Sequence, residues 1–407
     1  MELLNQEEIH SIVKPLGSPK VLNWSIENYS DKLIGYLGDH LRLKIEIEFE
    51  GFKSELKLFV KCMPRFNEWK ANYLKELTFF KKEYIMLSSL FKQFDSKQGT
   101  GKWCPKLLFV REDLFVFEDV AQLGYKMPCH LDTLCYDEVM AAVEAVARFH
   151  AQSFIYEERK SKEQNRSYRI WEDYSEYLKE PPQGQVWRDV GRNAVIDYLK
   201  VYSAHKPNFF KCLEIVIPML FDGAIALMTP SSVYRNVVVH RDLWSNNIFF
   251  KNQDGNFHAL IVDFQTVLYA SPMLDLSSML FFNTTRSFRT EYISEILDHY
   301  YNTVSHELKS EGIDIEGILQ KANLEKAYEE SIIFGITQAA IIVPIIAMQV
   351  EKREELFANP EKCEQINVVS RSAEFIEIGK EDSKYHARVI ELFDEMVERY
   401  VFPQIVK

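Results

Sequence analysis

The sequence predicts an α+β protein with two lobes, a smaller one over residues 1–118 and a larger one over residues 119–407. Apolar and polar residues alternate with a period of two in several runs before residue 120, which is typical of half-buried strands in an antiparallel sheet. Helical spacing dominates after residue 136, so the second lobe is expected to be mainly helical. The helical part is interrupted around residues 237–263 by short apolar runs with polar residues at their ends.

The first lobe begins with three strand patterns within residues 20–62. The segments VLNWSIE, HLRLKIEIEFEG and SELKLFVKC each combine β-branched and aromatic residues with alternation. The loop between the first two contains Gly35 and Gly38. Two glycines in such a loop are usually just a turn, but they also let the backbone approach a ligand closely.

Lys61 lies in the last of these strands, and a long helix is predicted to follow it over residues 68–94. A lysine in an apolar strand is commonly an edge residue whose ammonium reaches water. The alternative is an ion pair with a carboxylate of the helix. Glu83 lies beside the apolar stripe of that helix and is the candidate partner, with Glu76 as the second choice.

The pattern of residues 107–120 predicts a hairpin whose second strand ends near Glu118 and Val120. A connector between two lobes is expected at this point, although a plain strand end followed by a turn gives the same pattern. The amphipathic helix predicted for residues 136–153 carries His150, which we interpret as a satisfied core histidine.

Three later segments complete the second lobe. The charge run at residues 157–167 predicts a surface loop, and residues 381–401 predict a long amphipathic helix. The apolar run at residues 332–350 approaches the length of a membrane span. Thr337, Gln338 and Pro344 interrupt it, so a buried helix is the preferred interpretation and no stable membrane insertion is expected.

The most informative segment is VVVHRDLWSNNIFFKNQDGNFHALIVDFQ at residues 237–265. His240 and Asp242 follow one apolar run, and Asn247 comes five positions after Asp242 just before a second run. Asp263 ends a third run, sixteen residues after Asn247. A turn signal at Asp254-Gly255 separates the last two runs, which predicts a hairpin.

Polar residues in loops are commonly explained by turn chemistry, since Asp and Asn bond their own backbone. Here their spacing and strand context match the requirements of phosphoryl transfer from ATP. Asp242 would receive a hydroxyl proton, with His240 as a second candidate catalytic residue, while Asn247 and Asp263 would hold Mg²⁺. The candidate nucleotide-binding residues are Lys61, Glu83, Glu118, Val120, Gly35 and Gly38.

Composition narrows the class of partner. The chain has 407 residues, a net charge of -12 and 47% apolar residues, which is ordinary for a globular protein and disfavours nucleic acid as a partner. The six cysteines show no metal-like spacing and fit a reducing compartment. The acidic first residues lack the features of a signal peptide, so a cytoplasmic location is expected. Nothing in the sequence indicates the oligomeric state.

With these residues in hand, the chain resembles the ecdysteroid kinase-like family of arthropods, which is related to choline kinases and aminoglycoside phosphotransferases. The resemblance covers about residues 20–400. It rests on FVKC with Lys61, FFKKE with Glu83, FVFEDV at 115–120, ARFHAQS at 147–153, HRDLWSNNIFF at 240–250, IVDFQ at 261–265 and SPMLDLSSM at 271–279.

The resemblance implies a protein-kinase-like fold and an ATP-dependent kinase of small hydroxylated molecules, notably steroid hormones or foreign compounds. It implies that Asp242 is the catalytic base, that Asn247 and Asp263 bind Mg²⁺, and that Lys61 contacts the phosphates with Glu83 as its partner. It also implies that Asp275 braces the catalytic loop, where a simple N-cap is the alternative. The family more often has glycine at the position of Arg241.

The acceptor is expected to be a small molecule and not a protein. About 85 residues separate Ser153 from His240, enough for a helical substrate wall, and the short segment from Asp263 to Asp275 leaves no room for an ordinary activation loop. The preferred acceptor is an alcohol on a largely apolar molecule. The alternatives are choline or ethanolamine, and a catalytically silent nucleotide- or ligand-binding protein.

The preference for an apolar acceptor rests on aromatic residues between the helix of residues 136–153 and the catalytic segment. Aromatic side chains with polar tips suit a pocket that buries rings and still bonds hydroxyls, although they equally suit the core of the lobe. They are Tyr168, Trp171, Tyr174, Tyr177, Trp187, Tyr198, Tyr202, Phe209 and Phe210.

Overall fold

A computed structural model describes residues 3–30, 38–97, 99–129, 131–180, 184–203 and 207–405. The first part of the chain forms a five-stranded sheet with three helices. Its elements are helix α1 (Gln6–Val13), strands β1 (Lys20–Asn28), β2 (Asp39–Phe49) and β3 (Phe52–Cys62), helices α2 (Glu68–Glu76) and α3 (Phe79–Ser88), and strands β4 (Leu107–Arg111) and β5 (Leu114–Glu118).

The sheet is antiparallel with the strand order β1-β2-β3-β5-β4. The alternation of β3 divides its side chains between two faces. Leu58 and Val60 pack with α1 on one face, while Phe59 packs among the residues of α2 and α3 on the other. Lys61 is two positions after Phe59, so it points to the α3 side, opposite Phe115 of β5.

The predicted single helix over residues 68–94 is wrong in one respect. The structure has two helices, α2 and α3, and Thr78 between them adopts a left-handed conformation with φ 56°. Phe79 and Phe80 then pack against the sheet, and Glu83 is buried four residues into α3. Helical spacing continues across such a break, so periodicity alone did not reveal it.

The rest of the chain is mainly helical, so the predicted combination of an antiparallel-sheet part with a larger helical part is confirmed. Its helices are α4 (Tyr136–Gln164), α5 (Trp171–Tyr174), α6 (Gly184–Tyr202), α7 (Pro207–Ala226), α8 (Met273–Asn283), α9 (Arg286–Ser310), α10 (Lys321–Ile346), α11 (Val350–Ala358), α12 (Pro360–Glu364), α13 (Ser372–Glu381), α14 (Ser383–Met396) and α15 (Phe402–Ile405). The predicted lobe boundary at 118/119 falls where β5 ends.

Four short strands lie among these helices: β6 (Val237–Val239), β7 (Ile248–Gln253), β8 (Asn256–Ile261) and β9 (Leu268–Ala270). Strands β7 and β8 form the hairpin that the sequence predicts, with Asp254 and Gly255 at its turn in left-handed conformations. Strand β6 pairs with β9. The two pairs hold the segments that contain Asp242 and Asp263 at neighbouring strand ends.

Helix α4 extends beyond its predicted end, and the surface loop predicted for residues 157–167 is wrong. The helix continues to Gln164 because the first residue of the charge run, Glu157, is fully buried. Its carboxylate accepts hydrogen bonds from Ile170 N at 3.0 Å and Arg235 Nη2 at 2.9 Å. A buried, bonded carboxylate of this kind cannot be distinguished from a solvated one by sequence pattern.

Helix α10 contains most of the long apolar run and is the centre of the helical part. It is apolar and long enough to cross a membrane by composition, but 78% of its most apolar window is buried inside the protein. It packs mainly against α8. Ser277 of α8 lies so close to Gly335 that a Cβ atom there would come within 2.7 Å of backbone. The structure thus makes α10 a core helix.

Candidate active site

One cavity of about 290 Å³ lies between the sheet, the loop after β6 and the helices α6, α10 and α11. At one end it is lined by the strand end at Phe117, Glu118 and Asp119. At the other end it is lined by residues of α6 and α10, among them Trp187 and Gln338. Eight of the ten predicted site residues line this cavity: Gly38, Lys61, Glu83, Glu118, Val120, Asp242, Asn247 and Asp263.

Lys61 lies at the centre of a buried charged cluster. It is only 4% exposed, and its Nζ donates to Glu83 Oε2 at 2.5 Å and to Asp263 Oδ1 at 2.8 Å. Gln265 adds a weaker contact, with its Oε1 at 3.4 Å from the same nitrogen. Glu83 also accepts the N–H of Phe264 at 3.1 Å. The helix carboxylate therefore fixes both the strand lysine and the backbone next to Asp263.

The charges in this cluster are mutually dependent. Burial would lower the pKa of Lys61, but the Asp263 and Glu83 carboxylates outweigh it and raise this pKa above its usual value. Burial would raise the pKa of Asp263, but the Lys61 ammonium holds it below its ordinary range. Lys61 and Asp263 are therefore expected to be an ammonium and a carboxylate at neutral pH.

The loop after β6 is held by Asp275 of α8. Its Oδ2 accepts the N–H of His240 at 2.6 Å, and its Oδ1 accepts the N–H of Arg241 at 2.6 Å. His150 of α4 contacts the same carboxylate, with Nε2 at 3.0 Å from Oδ2. Asp275 thus bonds the loop instead of only capping its own helix, and it fixes the backbone just before Asp242.

Both histidines are parts of this scaffold. His150 is fully buried and also contacts Tyr300 OH at 2.9 Å. His240 is fully buried, with Nε2 at 2.8 Å from Val262 O and Nδ1 at 3.3 Å from the N–H of Asp242. Burial lowers the pKa of His240. His240 does not line the cavity, and its contacts favour a positioning role, while its catalytic role stays a prediction.

Arg241 adopts a left-handed conformation with φ 73°, which explains why glycine suits this position. A non-glycine residue there costs on the order of 1–2 kcal/mol. The Arg241 guanidinium donates to Glu180, which also accepts from Arg188 at 2.7 Å. Burial would raise the pKa of Glu180, but the two arginines lower it. This ion pair offsets part of the backbone cost of Arg241.

Asp242 and Asn247 meet in the cavity. Asn247 Nδ2 donates to Asp242 O at 2.8 Å and to Asp242 Oδ2 at 3.2 Å. Removal from bulk water and the nearby Asp263 charge raise the pKa of Asp242 to about 7. Asn247 has no other side-chain bond among the residues that the structure describes, which leaves its Oδ1 oxygen available to a ligand.

At the strand end, residues 118–120, some backbone polar groups are hydrogen-bonded within the part of the protein that the structure describes, and one N–H group is not. The N–H of Glu118 donates to Lys106 O at 3.0 Å, and its carboxylate accepts the N–H of Lys106 at 2.6 Å. The N–H of Val120 has no partner within the described parts of the chain. Val120 lines the cavity, so this donor is positioned to meet a ligand there.

Of the two predicted glycines, Gly35 lies outside the described residues. Gly38 lines the cavity, and a Cβ atom at this position would lie 3.2 Å from Cys62 O and 3.3 Å from the Phe80 ring. The close approach of this loop to the strand that carries Lys61 favours glycine at Gly38.

The far end of the cavity is mainly apolar. Helix α10 contributes Ile342, Ile345 and Ile346, and α11 contributes Phe357. Lys70, Glu180, Arg188 and Arg241 also line the cavity.

The nine aromatic residues proposed from the sequence as a pocket lining are mostly placed elsewhere. Trp187 alone among them lines the cavity, while Tyr168 and Tyr198 are buried in the core and Trp171 stacks on Tyr269. The core interpretation therefore holds for most of them. Aromatic side chains bury large areas wherever they pack, so composition does not indicate which ones face a cavity.

Sequence reasoning missed three residues of the site. No sequence pattern indicates Glu180 or Arg188 as site residues, since charged residues are common on either side of a segment rich in proline and glycine such as PPQG at residues 181–184. Gln338 did give one, because it is a polar interruption of the apolar run that became α10. Asp119 is a fourth feature of interest, since its buried carboxylate accepts from Tyr29 OH at 2.7 Å and fixes the strand end to β1.

Several solved structures are similar to the chain. The ethanolamine kinase of Plasmodium vivax matches with 11% identity and a TM-score of 0.36, over 97% of this chain and 86% of that one. The choline kinase LicA from Streptococcus pneumoniae matches with 12% identity and a TM-score of 0.41, over 95% and 98% of the two chains. The GDP complex of aminoglycoside 2'-phosphotransferase-IIIa matches with 12% identity and a TM-score of 0.41, over 96% and 99%.

The curated proteins include no match. The sequence model of the ecdysteroid kinase-like family matches residues 32–312, which is more than half of the chain. This span includes strand β3 with Lys61, helix α3 with Glu83, the loop that carries Asp242, and Asp275. The resemblance read from the motifs is confirmed, and the chain belongs to the ecdysteroid kinase-like family.

Proposed function

We propose that the protein is an ATP-dependent phosphotransferase that acts on a hydroxyl group of a small, largely apolar molecule, such as an ecdysteroid or a foreign alcohol, in the cytoplasm. One observation carries the proposal. Asp242 lies in a single cavity that joins the strand end at residues 118–120 to the apolar wall of α10. A nucleotide and an acceptor bound at the two ends would meet at this carboxylate.

The nucleotide end supports ATP. The unpaired N–H of Val120 would donate to the adenine ring, and the Phe117 side chain beside it would cover the base. Lys61 would contact the phosphates, with Glu83 keeping its ammonium in place as in kinases. The same ammonium donates to Asp263 Oδ1 at 2.8 Å, so the phosphates and the proposed metal ligand would lie beside one another.

The residues also fit a magnesium ion. The described residues contain no cluster of three or more His, Cys, Asp or Glu side chains that would hold a metal alone. Mg²⁺ commonly takes only one or two protein ligands and completes its shell with phosphates and water. Asp263 and the available Oδ1 of Asn247 supply such a pair. Bound there, the ion would neutralise charge on the phosphates during transfer.

The chemistry assigned to the chain's own groups is simple. Asp242 accepts the proton of the acceptor hydroxyl as its oxygen bonds to the terminal phosphorus and the bond from that phosphorus to the nucleoside diphosphate breaks. Asn247 orients the Asp242 carboxylate through its Nδ2 group. Asp275 and His240 hold the loop, so Asp242 loses little freedom when the acceptor binds.

The acceptor end favours an apolar alcohol over choline or ethanolamine. Aromatic residues such as Trp187 and Trp244 line the cavity, and such rings attract cationic ligands as well as apolar rings. The charges separate the two cases. An ammonium group would meet Lys70, Arg188 and Arg241, while the Glu180 carboxylate is already paired with both arginines.

A catalytically silent binding protein is the second alternative. The contacts of Lys61 with Glu83 and of Asn247 with Asp242 speak against it, because a protein that only binds a ligand has no need of this complete arrangement. Transfer assays decide among the three. Purified protein with Mg²⁺ and ATP is offered a polyhydroxylated steroid or choline, and phosphorylated product is measured by mass spectrometry. Product from the steroid supports the proposal, product from choline alone refutes the apolar acceptor, and no product from either favours the silent binding protein.

A further inference from the structure

Helix α10 presents one polar side chain to the acceptor end of the cavity. Gln338, Ile342, Ile345 and Ile346 lie at helical spacing on the face that lines the cavity. Phe282 of α8 and Phe357 of α11 lie on the same wall. Gln338 is therefore the one polar side chain among the residues that α10 contributes to the cavity.

The Gln338 amide is 7% exposed and has no hydrogen-bond partner among the described residues. Its neighbours on the helix behave differently. Thr337 donates to Ile333 O at 2.7 Å, and Ser331 donates to Ala327 O at 2.8 Å, so both satisfy themselves within the helix. The Gln338 amide faces the cavity, so a ligand that fills this space displaces water from the amide and must supply a hydrogen bond in its place.

The wall beside it is rigid. Trp187 Nε1 donates to Asn367 Oδ1 at 2.9 Å, and the Arg371 guanidinium lies 4.8 Å from the centre of the indole ring. Arg371 also donates to Trp187 O at 3.1 Å. With its ring and backbone both held, Trp187 offers a fixed apolar surface, which suits a rigid ring system more than a flexible chain.

We propose that Gln338 determines acceptor specificity by hydrogen bonding to a second polar group of the acceptor, a hydroxyl or carbonyl other than the hydroxyl that is phosphorylated. The inference rests on the proposed function and narrows its substrate class to ring-containing alcohols with at least two polar groups. A site built to bond such a group discriminates against analogues that lack it, because the amide is then left unpaired.

The test compares Gln338→Leu with Thr337→Val, a control that alters a polar group on the same turn away from the cavity. The leucine removes an unbonded amide from an apolar wall, so the variant is expected to fold at least as stably as the wild type. Two probes are used, a polyhydroxylated steroid and a steroid with a single hydroxyl group. Binding is measured without ATP, and transfer is measured with Mg²⁺ and ATP.

For the polyhydroxylated steroid, Gln338→Leu is expected to raise both the Kd and the KM about tenfold. The turnover number is expected to stay within about twofold, since the lost bond forms equally in the ground and transition states. The single-hydroxyl steroid and the Thr337→Val variant should show neither change. Equal weakening of both steroids, or no change for either, overturns the role of Gln338 even if transfer persists.

The binding arm separates this inference from the proposed function. If the wild type transfers phosphate to neither steroid but binds the polyhydroxylated one in a Gln338-dependent way, the kinase proposal fails and the recognition role of Gln338 stands. If transfer occurs and is insensitive to Gln338→Leu, the kinase proposal stands and this inference fails.

Discussion

Replacing Asp275 tests whether one carboxylate holds the catalytic loop. Its two oxygens accept the N–H groups of His240 and Arg241 and contact His150, and the side chain is fully buried. In Asp275→Asn the remaining oxygen can serve His240 and His150, but the new NH₂ group then faces the N–H of Arg241. One buried donor loses its acceptor, and each such loss costs about 1–3 kcal/mol.

Asp275→Ala removes the acceptor for all three donors. The same magnitude for each gives a loss on the order of 3–9 kcal/mol, reduced where water enters the space. Because Arg241 is held in a left-handed conformation, a released loop is expected to relax and displace Asp242. The turnover number should therefore fall more than the fraction of folded protein does. Asp275→Asn should lose turnover under conditions where it remains folded.

The assay combines urea unfolding with ATP-dependent transfer. Ser278→Ala is the matched control, since Ser278 is buried on the same helix and donates only to Asp275 O at 3.2 Å. It is expected to cost less than about 1 kcal/mol and to keep normal turnover. If Asp275→Asn matches this control in both stability and turnover, the brace is not needed and the reasoning is refuted.

Three further predictions concern charged groups. Asp242→Asn should lower turnover about 10²–10⁴-fold while Mg·ATP binding is kept, as measured by product formation and calorimetry. Asp263→Ala should abolish the Mg²⁺-dependent part of the thermal shift caused by ATP, because it removes a carboxylate from the proposed metal site. Lys82, whose pKa is lowered to about 7 by burial and by Arg241, should make the folded protein more stable as pH rises from about 7 to about 9.

The sign of the Lys82 effect follows from the protons bound. Its ordinary pKa is 10.5, so between about pH 7 and 10 the unfolded chain binds the extra proton and the folded protein does not. The contribution is at most about 1.4 kcal/mol per pH unit. In Lys82→Met this part of the pH dependence should disappear from urea unfolding curves, and equal pH dependence in both proteins would contradict the assignment.

For Asp242→Asn, near-normal turnover rules out Asp242 as the catalytic base. For Asp263→Ala, an unchanged Mg²⁺-dependent thermal shift places the metal elsewhere.

Much of the site follows from the sequence because its residues lie at strand ends. Apolar runs predict β6, β7 and β8, and in the antiparallel hairpin of β7 and β8 the residue before the first strand lies at the same edge as the residues after the second, which brings Asn247 close to Asp263. The spacing of Asp242, Asn247 and Asp263 was therefore informative. Period-two alternation likewise determined which face of β3 carries Lys61, and the apolar stripe of the following helix indicated Glu83.

Only the tertiary structure decided how distant segments meet. Packing between elements far apart in the chain decides the pairing of Glu180 with Arg241, the burial of Glu157 and the break at Thr78, and local patterns do not encode such packing. The same holds for the acceptor end. Aromatic composition suggests nine lining residues, yet Trp187 alone among them lines the cavity. The position of Gln338 on the cavity wall follows only from the packing of α8 and α11 near α10. Burial removes water as a hydrogen-bond partner, so the role of a polar residue depends on which groups the fold brings beside it.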